Sequence, residues 1–352
     1  MNFTIFNFKS LNFFDKGGLK IKENQIIEIN EDQMLVKVKS CGICGSDIKI
    51  LKYGNSRVTS GRIMGHEISG EIVKIGTNIE GYKIGDKVSI GADIPCMECQ
   101  SCKSKKSKCE KDLAYGHELD GGFSQYILLK KNDALKAPIA KFNKKISFDE
   151  AALAEPLGCC INGFEKVKFK SNKIVTIFGA GPIGLMIALL ASKYNSKKIF
   201  IVDVNKKRLD AAKRILNCET ILLKNNSFLK IFFNLNNDNG SDYIFTANPS
   251  IETHKLALKI ANKKSYINLF GGVSKNNSKL TIDSNFIHYN EINLTGSHGS
   301  SHRQHLKALR MIENKEINLK SLITHKFKLK DIKKAYKISL SGNALKVSIR
   351  PN

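Results

Sequence analysis

The chain has 352 residues, of which 42% are hydrophobic and 25% charged, and its formal net charge is +25. This length predicts two domains, and no apolar run approaches the roughly 18 residues that a membrane-spanning helix needs, so we expect no membrane partner. The lysines are scattered and form no basic stripe interleaved with aromatic residues, so we also expect no nucleic-acid partner.

The first 150 or so residues are rich in β-strand signals. Residues 1–9 predict a first strand and lack the features of a secretory signal, so we expect a cytoplasmic protein. In that reducing compartment the nine cysteines favour metal binding over disulfides. Ser147 and Glu150 form a capping box that predicts a helix start. Apolar runs between Gly-containing turns predict further strands at 34–39, 68–75, 87–90 and 126–129.

From about residue 172 short apolar runs alternate with amphipathic segments, a pattern that predicts a parallel, doubly wound α/β sheet. After Gly296 the chain becomes helical and then ends in a strand-like segment, 344–350, which we expect to return to the first domain. The predicted strands are 173–178, 198–202, 242–246 and 265–270, and the first predicted helix is 183–194.

A glycine-rich loop follows the first of these strands. Gly179 permits a tight turn, Gly181 lets the backbone approach a pyrophosphate, and Gly184 lets the helix pack on the strand. The helix N-terminus then offers unpaired N–H groups to the phosphates. The loop, between a strand and a helix, predicts a dinucleotide site.

Asp203, directly after the next predicted strand, would accept hydrogen bonds from ribose hydroxyls and repel a 2′-phosphate, so we expect NAD rather than NADP. Arg208 lies nearby and would tolerate a 2′-phosphate, which leaves NADP as the alternative. The other candidate coenzyme contacts are Pro182, Ile183, Thr246, Phe270 and Gly271.

Four cysteines lie within 14 residues, in the pattern Cys96-x2-Cys99-x2-Cys102-x6-Cys109. Four thiolates satisfy tetrahedral zinc and leave no open position. This spacing therefore predicts a structural zinc site, with no indication of chemistry.

A second metal site is predicted from residues far apart in the sequence. Cys44 and His66 are suitable zinc ligands, and Glu67 or Glu155 supplies the third. Three protein ligands plus water are typical of a catalytic zinc. Asp47 is a candidate hydrogen-bond acceptor that would hold the His66 ring in place.

These segments together resemble the zinc-dependent medium-chain dehydrogenases. The match comprises Cys44-Gly45-Ser46-Asp47, Gly65-His66-Glu67, the four-cysteine segment and the loop 179–184, in order along nearly the whole chain, and the first of these selects Cys44 over Cys41. Glu155-Pro156-Leu157 resembles the polyol and threonine dehydrogenase branch. The family implies a GroES-like β-rich catalytic domain, 1–156 with 297–352, a Rossmann coenzyme domain, 157–296, and a homodimer or homotetramer.

The resemblance implies reversible oxidation of a secondary alcohol to a ketone, with two zinc ions per chain, hydride passing to NAD, and Ser46 taking up the released proton. Family members differ over whether Glu67 or Glu155 binds the catalytic zinc. The chain departs from the family pattern in three places. Six residues rather than seven separate Cys102 from Cys109, Lys49 or Ile50 stands where a relay histidine is common, and residues 298–301 lack the Arg-Tyr pair of sorbitol dehydrogenases.

A polyol or polyol phosphate is the expected substrate, because Glu155 and residues 298–303 offer polar groups, while Arg303 and Lys49 would suit a phosphate. L-Threonine 3-dehydrogenase or a simple secondary-alcohol or butanediol dehydrogenase is the alternative. A catalytically silent zinc protein is the non-enzyme alternative, and it predicts a missing ligand or a broken glycine loop, neither of which the sequence has.

Overall fold

The computed structural model describes residues 6–14, 18–26, 28–104, 109, 111–131, 136–143, 145–224 and 227–352. The chain divides into two units, Met1–Gly158 with Gly299–Asn352, and Cys159–His298. The predicted domain boundaries lie two residues from these. Of the predicted first strand, residues 6–9 lie in β1 (Phe6–Phe14) and residues 1–5 lie outside the described residues.

Strands and helices are numbered along the whole described chain. The strands are β1 (Phe6–Phe14), β2 (Gly18–Ile26), β3 (Gln33–Gly42), β4 (Glu67–Ile75), β5 (Lys87–Ile90), β6 (Asp93–Ile94), β7 (Leu113–Ala114), β8 (Tyr126–Lys130), β9 (Ile139–Phe142), β10 (Ile174–Phe178), β11 (Lys198–Asp203), β12 (Glu219–Leu222), β13 (Ser241–Thr246), β14 (Ala261–Leu269), β15 (Asn293–Gly296), β16 (Ile323–Lys328) and β17 (Lys346–Arg350).

The helices are α1 (Gly45–Tyr53), α2 (Gln100–Ser104), α3 (Phe148–Ala152), α4 (Ala154–Lys166), α5 (Pro182–Lys193), α6 (Lys206–Ile215), α7 (Phe228–Leu235), α8 (Ile251–Lys259), α9 (Ser284–Asn290), α10 (His302–Glu313) and α11 (Ile332–Leu340), with 3-10 turns at Lys275–Asn277, Lys320–Leu322 and Leu329–Asp331. The predicted capping box is confirmed, since Ser147 accepts from Glu150 N and the Glu150 carboxylate accepts from Ser147 N. No helix in the described part of the chain has the length and apolarity needed to cross a lipid bilayer.

The first unit is built around a seven-stranded sheet in the order β16-β17-β3-β4-β5-β9, with β8 also paired to β3. Pairing is antiparallel except between β16 and β17. The inward-facing residues of β3 and β4, among them Val36, Val38 and Ile68, are fully buried. A shift of one residue along either strand would move these apolar side chains to the opposite face, so their burial fixes the register.

The chain end returns to the first unit as predicted, because β17 pairs with the end of β3 through Ser348↔Gly42 and Ile349↔Cys41. Asp149 ties this junction together by accepting hydrogen bonds from Ser40 Oγ (2.9 Å) and Ser348 Oγ (2.6 Å). Burial would raise the pKa of Asp149, but Arg350 and these hydroxyls lower it to about 2. The last strand is therefore fastened beside the end of β3.

The second unit contains a six-stranded, all-parallel sheet in the order β12-β11-β10-β13-β14-β15. With β10 as its first strand this is the 3-2-1-4-5-6 order of the doubly wound dinucleotide-binding fold. Phe178, Phe200 and Ile244 are fully buried in its core. The predicted fold class, a β-rich domain with a parallel doubly wound sheet, is confirmed.

Candidate metal centres and coenzyme site

Three side chains from the starts of two elements, α1 and β4, meet in the first unit. One ligand atom each from Cys44, His66 and Glu67 lies within 4.8 Å of the other two. Cys44 is the N-cap of α1, His66 directly precedes β4, and Glu67 begins that strand. Gly65 makes this turn possible, because its φ is +92° and a Cβ there would lie 2.7 Å from Cys41 Sγ. We call Cys44, His66 and Glu67 the assembled cluster.

Asp47 and Ser46 contact the two ring nitrogens of His66. The Asp47 carboxylate, which is fully buried, lies 3.5 Å from Nδ1, and Ser46 Oγ lies 3.3 Å from Nε2. Burial would lower the pKa of His66, but Asp47 and Cys44 raise it well above its usual value. These surroundings therefore favour a positive charge at His66. Because Asp47 is next to Nδ1, the other ring nitrogen, Nε2, can face a metal ion.

Glu67 is held by a buried lysine from the other end of the chain. Lys346 Nζ, at the start of β17, donates to Glu67 Oε1 (2.6 Å) and Oε2 (2.7 Å). Burial would lower the pKa of Lys346, but the negative charge of Glu67 raises it above its usual value. Gly42 provides the room, because a Cβ there would lie 1.9 Å from Glu67 Oε2. The carboxylate therefore has a fixed position at the end of β3.

The second cluster, which we call the cysteine lobe, consists of Cys96, Cys99, Cys102 and Cys109. Their sulfur atoms all lie within 4.8 Å of one another, and the Cys96–Cys102 and Cys99–Cys109 distances are both 3.9 Å. The edge of a tetrahedron with Zn–S bonds of about 2.3 Å is about 3.8 Å. The N–H groups of Glu98 and Cys99 donate to Cys96 Sγ and lower the pKa of that thiol. The lobe thus fits a closed, four-sulfur zinc site.

The glycine loop of the second unit has the conformation that the sequence predicts. Gly179 has φ +113°, and a Cβ on Gly184 would lie 1.7 Å from Gly179 O, so neither position tolerates a side chain. Gly181 is the N-cap of α5, with Pro182 as its first residue and Ile183 next. The helix therefore begins within the loop, and no side chain caps its N-terminus, as suits a phosphate site.

The remaining coenzyme candidates lie around this loop. Asp203 ends β11, where its carboxylate accepts from Ala180 N (2.6 Å) and Asn205 N (2.8 Å). Arg208 Nη1 lies 3.8 Å from the position of a Cβ on Gly181. Thr246 ends β13, and its carbonyl accepts from Gly271 N (2.6 Å), which follows Phe270. The carboxyl ends of β10, β11, β13 and β14 thus present these residues at one sheet edge.

Comparison with known proteins identifies the family. The profile described as alcohol dehydrogenase GroES-like domain matches residues 30–139, and that described as zinc-binding dehydrogenase matches residues 182–314. The probable D-xylulose reductase A of Neosartorya fischeri is 30% identical over 97% of this chain and 96% of its own. The chain belongs to the zinc-binding alcohol dehydrogenase family. It is an oxidoreductase, and zinc and a nicotinamide coenzyme are the cofactors of its family.

Other relatives of this dehydrogenase match over nearly their full length. Sorbitol dehydrogenase of Bacillus subtilis is 28% identical over 98% of each chain. Among solved structures, galactitol-1-phosphate dehydrogenase from Escherichia coli is 26% identical, with a TM-score of 0.85 over 97% of this chain and 100% of its own. An alcohol dehydrogenase from Escherichia coli complexed with NADH is 25% identical, with a TM-score of 0.87, and the match covers 98% of this chain and 99% of its own.

Among the described residues, Glu155 is not a member of the assembled cluster. Glu155 lies in the first turn of α4 and is buried. Burial raises the pKa of Glu155 to about 7, with His66 lowering it and Glu67 raising it, so Glu155 is close enough to feel the charges of the assembled cluster. The two candidate carboxylates therefore differ, since Glu67 is within the cluster and Glu155 is a buried neighbour.

Sequence reasoning missed two residues beside the assembled cluster of the dehydrogenase, Lys346 and His117. The His117 ring centroid is 5.4 Å from that of His66. Gly116, with φ +76°, brings this turn against Gly65, because a Cβ on Gly116 would lie 2.8 Å from Gly65 O. No spacing rule signals either contact, since both partners are distant in sequence and each contact arises from strand pairing or turn packing.

Proposed function

We propose that this dehydrogenase interconverts a polyol, or a polyol phosphate, and the corresponding ketose, with NAD as coenzyme. The observation that carries the proposal is the assembled cluster, with one thiol, one imidazole and one buried carboxylate next to the Ser46 hydroxyl. The names of the sorbitol, xylulose and galactitol-phosphate relatives support the polyol class. The net charge of +25 is favourable for a phosphorylated substrate.

The proposed metal ligands are Cys44 and His66 with a carboxylate from Glu67 or Glu155, and the proposed structural ligands are Cys96, Cys99, Cys102 and Cys109. Zinc bound at the first site would supply Lewis acidity that lowers the pKa of a substrate hydroxyl, and the nicotinamide would accept the hydride.

The chain's own groups have distinct proposed tasks. Asp47 orients the His66 ring through Nδ1, which keeps Nε2 directed at the cluster. Ser46 Oγ, 3.3 Å from Nε2, is placed to accept a proton from a hydroxyl bound on that side and pass it to solvent. Arg303 and Lys49 are the proposed partners of a substrate phosphate.

A substrate panel tests the reaction. Zinc-loaded protein is assayed for NADH formation with sorbitol, xylitol, galactitol 1-phosphate, L-threonine and butane-2,3-diol. Strong turnover of the sugar alcohols or their phosphates is the expected result. Exclusive activity on L-threonine or butane-2,3-diol would replace the substrate assignment. If the protein is inactive on every alcohol, and its His66→Ala variant keeps the other binding functions, the protein is the silent zinc protein instead.

The preference for NAD is proposed from Asp203. Its carboxylate is fixed by two backbone N–H groups beside the glycine loop, where its charge would repel a 2′-phosphate. We expect Asp203→Gly to lower the ratio of kcat/KM for NAD to that for NADP by roughly tenfold. Asp210→Ala, on the exposed side of α6, is the matched control and should leave the ratio unchanged. An unchanged ratio in Asp203→Gly would contradict the assignment.

We further infer two zinc ions per chain, a homodimer or homotetramer, and a cytoplasmic location. Two separate ligand groups support the zinc number, and the nine free cysteines suit a reducing compartment. Metal analysis, light scattering after size-exclusion chromatography, and cell fractionation test these three inferences. One zinc per chain, a monomer, or recovery outside the cytoplasm would each contradict the corresponding one.

A further inference from the structure

One buried ion pair of the assembled cluster involves a residue for which the proposed reaction has no task. Lys346 is 4% exposed, and its ammonium uses its three donors on Glu67 Oε1, Glu67 Oε2 and the carbonyl of Ile43, at 2.6, 2.7 and 3.3 Å. Glu67 itself is fully buried. A buried pair of this kind costs desolvation on both sides, so neither group gives up its partner without compensation.

The backbone fixes both partners. Lys346 begins β17, which is held to the end of β3 by Ile43 N donating to Val347 O (2.9 Å). Gly42, two residues before Cys44, leaves the space into which Glu67 Oε2 fits. The ammonium is thus carried by one strand and the carboxylate by another, and the two strands are both neighbours of β3.

The sign of the charge on Lys346 matters for the metal. The usual hydrogen-bond partners of metal ligands are carboxylates, carbonyls or water, which increase the ligand's basicity and so strengthen metal binding. An ammonium does the opposite, because it withdraws charge from both carboxylate oxygens and repels a nearby cation. The ammonium and a metal ion in the assembled cluster would therefore compete for Glu67.

We propose that Lys346 is a positioning residue that holds Glu67 back from the metal ion and so weakens metal binding in the assembled cluster. The inference rests on the proposed role of Cys44, His66 and Glu67 as a metal site. If so, Glu67 does not permanently occupy the carboxylate position at the metal ion. A second buried carboxylate, Glu155, lies nearby.

Zinc affinity of full-length variants tests the proposal. Zinc-loaded wild type, Lys346→Met and Lys346→Arg are titrated with a competing chelator, and the His66→Ala variant identifies which released zinc belongs to the assembled cluster. We expect Lys346→Met to bind this zinc roughly tenfold more tightly than wild type, because Glu67 then has no other cation. Lys346→Arg keeps the charge and the paired hydrogen bonds and should match wild type.

Cobalt substitution gives a second readout that does not depend on activity. The visible spectrum of Co²⁺ in the assembled cluster should change in Lys346→Met, as a carboxylate joins the ligands, and stay as in wild type in Lys346→Arg. Lower or unchanged zinc affinity in Lys346→Met would overturn the proposal, since it would mean that the ammonium supports Glu67 as a ligand or has no effect. If Lys346→Met does not fold, Lys346→Gln, which keeps one donor, should show the same effect with a smaller magnitude.

The carboxylate itself provides the decisive control. In a Glu67→Gln background the competition no longer exists, so Lys346→Met should then change zinc affinity by less than about threefold. A persisting tenfold increase would show that the ammonium acts on the metal directly, which also overturns the proposal. Equal zinc content in His66→Ala and wild type is a different result, because it would refute the metal-site assignment and not the role of Lys346.

Discussion

The cysteine lobe and the assembled cluster place similar donor atoms together by opposite means. The lobe takes all four sulfurs from 14 consecutive positions, and its cysteines are only partly buried. The assembled cluster takes Cys44 from the N-cap of α1 and takes His66 and Glu67, both buried, from the start of β4. Lys346 reaches Glu67 from β17. One cluster is local and the other exists only in the folded unit.

This difference matches two tasks. Four sulfurs in tetrahedral contact leave a metal ion no open position, so the lobe serves to hold its own short chain segment in shape. The assembled cluster has three potential ligands, and the Ser46 hydroxyl lies 3.3 Å from His66 Nε2. It also contains buried charges of both signs, on Glu67 and on its partner Lys346. A metal ion there would keep a position for another molecule, and its environment is set by residues that are not ligands.

The largest expected effect is a loss of turnover when the assembled cluster, and not the lobe, loses a ligand. His66→Ala should lower kcat by about 10³-fold or more, because it removes a metal ligand at the reacting centre. Zinc content should fall by one ion per chain while the lobe keeps its own. His288→Ala, at an exposed histidine of the second unit, is the control and should stay within about twofold of wild type. Near-normal turnover in His66→Ala would remove the assembled cluster from the mechanism.

The second effect concerns stability. Cys102→Ser should release the zinc of the lobe and lower the free energy of unfolding by about 4 kcal/mol. Turnover per remaining zinc should change little. Cys218→Ser, a partly buried cysteine outside both clusters, should cost less than about 1 kcal/mol. Denaturant titration followed by circular dichroism measures both. Complete loss of activity in folded Cys102→Ser would mean that the two clusters are not independent.

Sequence reasoning predicted the lobe more completely than the assembled cluster, and the reason is physical. Metal ligands separated by two to six residues must lie near one another, so their spacing alone carries the prediction. The glycine loop was equally readable, because a buried strand before it and a helix after it define the backbone at Gly179 and Gly184. The change near residue 172, from β-strand signals to alternating apolar runs and amphipathic segments, predicted the doubly wound sheet, and the capping box at Ser147 predicted the start of α3.

The rest depended on packing that no local pattern records. Which carboxylate joins Cys44 and His66 was left open, and Lys346 and His117 were not considered, because their positions follow from the β17–β3 pairing and the turn at Gly116. A lysine in the last strand is ordinary in sequence terms. Its significance appears only when Glu67 is found 2.6 Å away in a buried position.

A third prediction tests the core of the first unit, which carries both clusters, through its pH dependence. His305, on α10, is fully buried, and its Nε2 lies 3.2 Å from Ser89 Oγ, which itself donates to Ala151 O. Burial lowers the pKa of His305 to about 4. Because the unfolded chain takes up this proton near pH 6.5, the neutral ring's contribution is complete above that pH. It decreases as the pH falls toward 4, by about 3 kcal/mol in total.

His305→Gln isolates the pH-dependent contribution of His305 to stability, since glutamine has no proton to take up. The difference in unfolding free energy between wild type and His305→Gln should change by up to about 3 kcal/mol between pH 7 and pH 4, with wild type losing more stability. Loss of zinc at low pH affects both proteins and cancels in the difference. A difference independent of pH would mean that the ring is protonated or hydrated in the folded protein.

The smallest expected effect examines how finely the assembled cluster is positioned. Gly116 and Gly81 both have positive φ, +76° and +80°, so alanine strains the backbone at either one by about 1 kcal/mol. Only at Gly116 does the new Cβ meet the backbone of Gly65, at 2.8 Å, next to His66. Gly116→Ala should therefore lower kcat by roughly tenfold as well as stability. Gly81→Ala, which has open space around it, should lower stability alone. Equal kcat values in the two variants would mean that the assembled cluster tolerates small shifts of its surroundings.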